Sequence, residues 1–468
     1  MLFNSLIFTL FLPIVFSIYW VIPSKYRNYF LLLASYYFYY SYNPWFLFLL
    51  IGTSGLDYFI ARKISKSNDQ QQKKTLLMVS LLSNIGVLFV FKYFVFVYNS
   101  SVEVFDLDAK LLHNLIIPAG LSFYTFQSIS YTIDVYRGKY KADDTLSDFL
   151  LYVSFFPHMV AGPIVRYNDL MPQFKIITYF KNINWQQVAT LVIWGYFKKL
   201  VIADNLNLIV TPVFNNVTAF TGFELALAGF LFVIQVYCDF SGYSDIATGV
   251  AKLFNINLSL NWRRPLLSKS LHEFWKRNHI SITTWFRDYL YIGLGGSRVS
   301  YNRWLINIFL VFVISGFWHG ANFTFIIWGT MHGLLYILEI ILNKMFPTIK
   351  VPGVIGRLYL LGFHTLSLIA FRANNLLDLR AIYSKIFTLS KENFMINSLL
   401  KHQDRLYFFI IFLLILILLI KEINEEYAII NKNKTVYSIL KPLAFILFIV
   451  LIFTLGNFSA NTFIYFQF

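Results

Sequence analysis

The chain is written as a succession of uninterrupted apolar runs, each roughly 20 residues long and nearly free of charge. The first, LFNSLIFTLFLPIVFSIYWVI at 2–22, sets the pattern, and YFFIIFLLILILLIKEI at 407–423 repeats it. Inside a bilayer every backbone N–H and C=O must find a partner within the protein, which leaves helices and closed barrels as spanning elements. Barrel strands alternate apolar and polar residues over about 10 positions, and these runs do not alternate. The chain is therefore read as an all-α polytopic membrane protein. Composition agrees: 57% of its 468 residues are hydrophobic and 13% charged, against about 25% charged in ordinary soluble domains.

Hydropathy places candidate spans at 2–22, 29–40, 45–60, 75–98, 112–133, 148–165, 187–203, 224–240, 305–318, 323–342, 354–371, 407–423 and 436–453. Several are short for a bilayer of about 30 Å, so about eleven crossings are expected, with the rest re-entrant or packed behind neighbours. The N-terminal run has no basic flank and no small-residue cleavage site, so it reads as a retained span. The basic ARKISKSNDQQQKKT at 61–75 is expected on the cytoplasmic side, and the acidic NSSVEVFDLDAKLL at 99–112 outside, which puts the N-terminus outside. The net charge of +16 is assigned to this bias rather than to nucleic acid. A single cysteine, Cys238, excludes an intrachain disulfide. No linker and no fixed-period repeat interrupts the sequence, so residues 1–468 are read as one membrane-embedded domain. The longest polar connection, 261–304, is basic but studded with Leu, Phe, Trp and Tyr, as expected of an amphipathic segment at the cytoplasmic face.

Polar residues inside such surroundings are costly and mark function. They gather in four places: Gln127, Ser128, Tyr131 and Asp134; His158; Asp239, Ser241, Tyr243 and Asp245; and His319, Asn322 and His332. Each has a plainer reading. Asp239 and Asp245 can pair with Arg263, Arg264 or Lys276 to hold helices together, His158 can close a helix end beside Pro157, and Cys238 can be a small core residue. LHEFWKRNH brings His272, Glu273 and His279 together, but a zincin needs its histidines one turn apart, and Lys276 occupies that position. His272 and His279 would lie about 10 Å apart along a helix, so no metal site is expected. CDFSGYSD lacks the serine-hydrolase elbow, and GLGGSR at 293–298 is either a phosphate cradle or a turn. The remaining chemistry is histidine as general base, taking a proton from a hydroxyl that attacks an acyl carbon. His319 lies between Trp318 and Gly320, with room beside its ring.

HISITTWFRDYLYIGLGGSR followed by SGFWHG resembles the membrane-bound O-acyltransferase family, most closely its bacterial alginate O-acetylation branch. LLLASYYFYYSYNPWFLFLL, PAGLSFYTFQSISYTIDVYRG, FFPHMVAGPIVR, GYFKKLVIADNL and DFSGYSDIATG extend the likeness, in the family's order, over roughly residues 1–375; from about Ser384 onward the chain matches only as further spans. The chain departs from the pattern at Ile282, His158 and Cys238, where Leu, Gln and an aromatic residue are expected. The resemblance implies a ring of tilted helices around a central tunnel, with His319 as the intramembrane catalytic histidine and His279 as the second histidine, on the donor's approach. It implies that Lys276, Arg277 and Arg287 steer the phosphates of an acyl thioester such as acetyl-coenzyme A, and that Asp239, Ser241, Tyr243, Asn322 and Trp318 line the substrate tunnel. His332 is then expected as a hydrogen-bonded structural neighbour. The implied activity is transfer of an acyl group, acetyl first, across the bacterial cytoplasmic membrane to hydroxyls of an exopolysaccharide or the cell wall. No tightly bound cofactor is expected, and a separate esterase-like partner is expected to hand the group on. D-alanyl transfer to teichoic acid is the neighbouring alternative. From a different class, a lipid-linked glycan flippase would show repeat-related halves, and none is visible.

Overall fold

Caps and prolines set where the helices start. Asn43 accepts from the Trp45 amide and Pro44 opens the helix Pro44–Lys66, while Asp69 caps Gln70–Leu88 through the Gln71 amide. In the computed structural model, which describes residues 1–105, 112, 115–349, 351–388, 390, 405–429, 434–459 and 463, every described regular element is a helix. The middle of the acidic connection, 106–111, lies outside the described residues.

Among the described residues, seven helices are long and apolar enough to cross a membrane: Pro44–Lys66, Gln70–Val104, Gly222–Lys252, Tyr301–His319, Phe323–Met345, Gly353–Arg372 and Arg405–Tyr427. Leu6–Val21 and Leu440–Leu455 are shorter apolar helices. The protein is thus a multi-pass membrane protein. The expected span 187–203 lies within one continuous helical run from Trp185 to Asn215 that passes through a π-helical stretch, whereas 29–40, 112–133 and 148–165 fold around helices of 14, 16 and 9 residues. At 1.5 Å per residue none of these last three reaches across about 30 Å in one straight helix. The basic segment 261–304 is likewise broken into short helices, Leu271–Arg277 and Ile280–Trp285 among them, rather than forming one amphipathic rod.

The chain gathers into two compact units, residues 1–192 with 246–260, and residues 193–245 with 261–468. In the first, the buried Asp57 carboxylate accepts from the Ser80 hydroxyl (2.6 Å) and the Asn84 amide (2.8 Å), clamping two spans together. His158 is held there by the Phe155 carbonyl (2.8 Å) and the Gln127 side chain (3.2 Å), the helix-end role read from its neighbouring proline.

In the second unit the helices Tyr301–His319 and Phe323–Met345 approach through glycines. A Cβ on Gly316 would come 2.3 Å from the Phe325 carbonyl oxygen, and one on Gly329 2.4 Å from that of Phe312. Close backbone approach at small residues is how membrane helices gain packing energy. Gly329→Val should therefore force the pair apart at about 1–3 kcal/mol or more, seen as a lower apparent melting temperature in detergent, whereas Gly86→Ala, with nothing within 4 Å of the added carbon, should leave it in place.

Candidate active site

His319 is the last residue of its helix. Gly320 leaves the helical conformation, and Asn322 restarts the chain as the cap of Phe323–Met345, its side chain accepting from the Thr324 amide and donating to the Asn374 carbonyl. The break leaves the His319 ring edge-on to Trp318, Trp328 and Phe371, at centroid distances of 4.9, 5.1 and 5.5 Å.

His279 arrives from the basic connection. The Ser270 hydroxyl caps Leu271–Arg277 through the Glu273 amide, while the Glu273 carboxylate accepts from the Lys269 amide one residue before the cap. That helix ends at Arg277, and His279 takes a left-handed backbone (φ 44°) to start the next. Asn261 latches the turn: its carbonyl oxygen accepts the Ile280 amide, and its side-chain oxygen accepts from both the amide and the hydroxyl of Ser281. The same side-chain oxygen lies 3.3 Å from His279 Nδ1. An amide oxygen only accepts, so Nδ1 carries the hydrogen and Nε2 presents its lone pair. A non-glycine residue held in this conformation is strain of the kind that collects at functional sites.

His279 and His319 line one chamber of about 70 Å³, together with His332, His364, Phe240, Trp262, Trp275, Trp328 and Phe371. His332 stacks over His364 at 5.6 Å and lies 4.6 Å from Trp328. Among the described residues neither ring nitrogen of His332 has a hydrogen-bond partner, so the hydrogen-bonded role expected for it is not what they give. His364 escaped the sequence reading. Its signal was an imidazole in the apolar run LYLLGFHTLSLIAF, the same signal that singled out His319.

A second cavity, of about 880 Å³, is lined by Lys276, Arg287, His272, Tyr336 and Glu339 among others, and Trp275 belongs to the walls of both. Arg277 is engaged elsewhere, in ion pairs with Glu273 (2.7 Å) and Glu426 (3.0 Å). His272 and His279 thus face different cavities, and the zincin-like spacing has no counterpart in space.

The residues expected along a tunnel do not line either cavity. Trp318 is buried beside Phe286 and His319, and Asn322 serves as a helix cap. Along Gly222–Lys252 the chamber receives Val233, Val236, Tyr237 and Phe240, one helical face. Asp239 lies on another face and pairs with Lys199 at 2.6 Å, Lys199 also holding Asp204 at 2.8 Å. Lys198 pairs with Asp245 at 2.6 Å and donates to Ser241 at 2.8 Å. Tyr243 is buried with its ring 5.1 Å from Phe463. The partners of Asp239 and Asp245 are therefore these two lysines, not the expected Arg263, Arg264 or Lys276.

The family profile described as MBOAT, membrane-bound O-acyltransferase family, matches residues 144–377, which hold all four chamber histidines. The chain belongs to that family. Within it, the chain is 40% identical over 344 residues to the probable alginate O-acetylase AlgI of Pseudomonas aeruginosa, covering 72% of this chain and 66% of the relative. It is 35% identical over 416 residues to the peptidoglycan O-acetyltransferase of Helicobacter pylori, covering 80% and 78%. The teichoic acid D-alanyltransferase of Streptococcus thermophilus is 29% identical over 237 residues, covering 47% and 56%. The chain spans about two thirds of the length of the first of these relatives. By class this membrane protein is an O-acyltransferase.

Burial pushes the His279 imidazole, in the connection between spans, down to about 3. Between pH 6.5 and 3 the unfolded chain binds a proton there that the folded chain refuses, so the folded state loses stability as pH falls through that window. At pH 5 this amounts to about 2 kcal/mol for the one group. His279→Gln should accordingly flatten the acid side of a plot of apparent melting temperature against pH, leaving the region above pH 7 parallel to wild type.

Proposed function

We propose that this chain takes an acetyl group from acetyl-coenzyme A on the cytoplasmic side of the bacterial inner membrane and passes it toward hydroxyls of an extracytoplasmic glycan, exopolysaccharide or cell wall, through a separate partner protein. The observation that carries the reading is the meeting of His279 and His319 in one aromatic chamber that shares Trp275 with a large basic cavity. Lys276 and Arg287 line that cavity and are suited to the phosphates of the donor; Arg277, held by two carboxylates, is left as a structural cation. His319 acts as general base: it takes the proton of the acceptor hydroxyl, whose oxygen bonds to the acyl carbon as the carbon–sulfur bond breaks, and returns the proton to the leaving thiolate. His279, fixed in tautomer by Asn261, orients the thioester.

The test is transfer of radiolabelled acetyl from acetyl-coenzyme A by the purified protein in nanodiscs, with glycan acceptors and candidate partner proteins supplied in parallel. Label is expected on an acceptor or partner. Label that moves only from a D-alanyl carrier protein would replace the acetyl reading with the teichoic acid one.

A further inference from the structure

The chamber contains more hydrogen-bonding capacity than its walls use. Among the described residues, the indole nitrogens of Trp275 and Trp328, Nε2 of His364 and both ring nitrogens of His332 are buried without a hydrogen-bond partner. Buried polar atoms are paired in native proteins, and clustered exceptions need an explanation. An indole N–H is a donor only, so two of these groups require an acceptor. A carbonyl oxygen has two lone pairs and takes two such donors at once. Val233, Val236, Leu266, Leu368 and Phe371 give the chamber apolar wall beside these groups and the reacting histidines. The wanted occupant therefore has one strongly accepting oxygen and a small apolar end.

Size narrows it further. A cavity of about 150 Å³ holds benzene, with its six heavy atoms, so about 70 Å³ holds roughly three. An acetyl group has that many: carbonyl carbon, carbonyl oxygen and methyl. A D-alanyl group adds a second carbon branch and an ammonium, for which these walls offer no carboxylate.

Resting on the acyl-transfer reading above, we infer that the chamber is the acyl pocket, that the Trp275 and Trp328 indole N–H groups hold the acyl carbonyl oxygen, and that its walls limit the acyl group to about two carbons. When the acceptor oxygen bonds to the carbonyl carbon, the π pair moves onto the carbonyl oxygen, which the two indole N–H groups then hold by hydrogen bonds. As the pair returns, the carbon–sulfur bond breaks and the thiolate leaves. Donors placed for the charged oxygen act on the transition state more than on the bound donor, so their loss falls on kcat.

The experiment runs acetyl-, propionyl-, butyryl-, hexanoyl- and D-alanyl-thioesters of coenzyme A against the full-length protein in nanodiscs, with wild type, Trp328→Phe and Leu368→Ala. Wild type should move acetyl at least 100-fold faster than hexanoyl or D-alanyl. Trp328→Phe keeps an aromatic ring but has no N–H, and should lose about 100-fold in kcat with the donor KM within threefold. Leu368→Ala removes a wall and should raise the butyryl-to-acetyl rate ratio at least tenfold; Val236→Ala serves if that variant is not monodisperse. Equal rates for two- and six-carbon donors in wild type, an unchanged ratio in the folded wall variants, or full kcat in Trp328→Phe would each overturn the pocket while leaving acyl transfer standing. Failure of wild type to move any acyl group would instead overturn the proposed function, and the pocket with it.

Discussion

His319→Ala is expected to lower kcat for acetyl transfer by about 10³-fold while the donor KM stays within about threefold. General-base catalysis contributes 10² to 10⁴ in rate, and a group that acts on the acceptor's proton contributes little to holding the donor, so the loss belongs in kcat. The substitution is also structurally mild. His319 ends its helix, and the turn that follows is set by Gly320 and the Asn322 cap rather than by the imidazole. The ring does pack on Trp328 and Phe371, so His319→Gln, which fills more of that space but is no base at neutral pH, is the companion variant. Both should elute as monodisperse protein and both should be inactive. A monodisperse His319→Ala that transfers acetyl at the wild-type rate would remove the imidazole from the chemistry and turn attention to His279, His332 and His364, the other imidazoles on the same chamber. His279→Ala should differ in kind: if His279 orients the thioester, donor KM rises along with the fall in kcat.

His319 is legible in the sequence because an imidazole in an apolar run has no cheap explanation. His279 lies in a basic connection and is legible only through the family resemblance, and both line one chamber. The helical class was equally legible, since continuous apolar runs leave a bilayer protein no other element. Two things were not. Helix lengths were hidden because hydropathy reports apolarity, not where caps and breaks fall, so 148–165 reads as one span although its helix stops at Ser154. The facing of Gly222–Lys252 was hidden because Asp239, Ser241 and Tyr243 are polar enough to suggest a substrate path; only the fold shows that the apolar face beside them looks into the chamber and that the aspartates look toward lysines 40 and 47 residues earlier. His364 carries the same apolar-run signal as His319, and what it lacks is a family motif around it to draw attention to that signal. What pairs with what across such distances is a property of the packed bundle, and a single sequence does not encode it locally.

The lysine pair is where the second large effect is expected. The wide π-helical stretch Phe197–Ala203 turns two consecutive lysines inward, so that Lys198 and Lys199 are 2% and 5% exposed. Lys199 bridges the carboxylates of Asp204 and Asp239. Lys199→Met would leave both buried without that cation, and removing one partner of a buried ion pair costs about 3–5 kcal/mol. Against a total stability of about 5–15 kcal/mol, that brings a protein at the low end of the range to its unfolding midpoint, where the unfolded part is lost to aggregation. The expected result is a collapse of the monodisperse peak in fluorescence-detected size exclusion, while Lys74→Met, at an exposed position, stays within about 0.5 kcal/mol of wild type. The triple variant Lys199→Met, Asp204→Asn, Asp239→Asn carries no stranded charge and should recover most of the peak, because neutral replacements of a buried network are often tolerated. Its transfer rate then separates two roles. Asp239 and Phe240 are neighbours on one helix, the first tied to Lys199 and the second on the chamber wall beside His279. If the ion pairs only add stability, the recovered triple variant works at the wild-type rate. If they fix the rotation of the helix, and so the chamber wall, it folds but transfers at least tenfold more slowly, and this is the outcome expected from a charge lattice and a reaction chamber that share one helix.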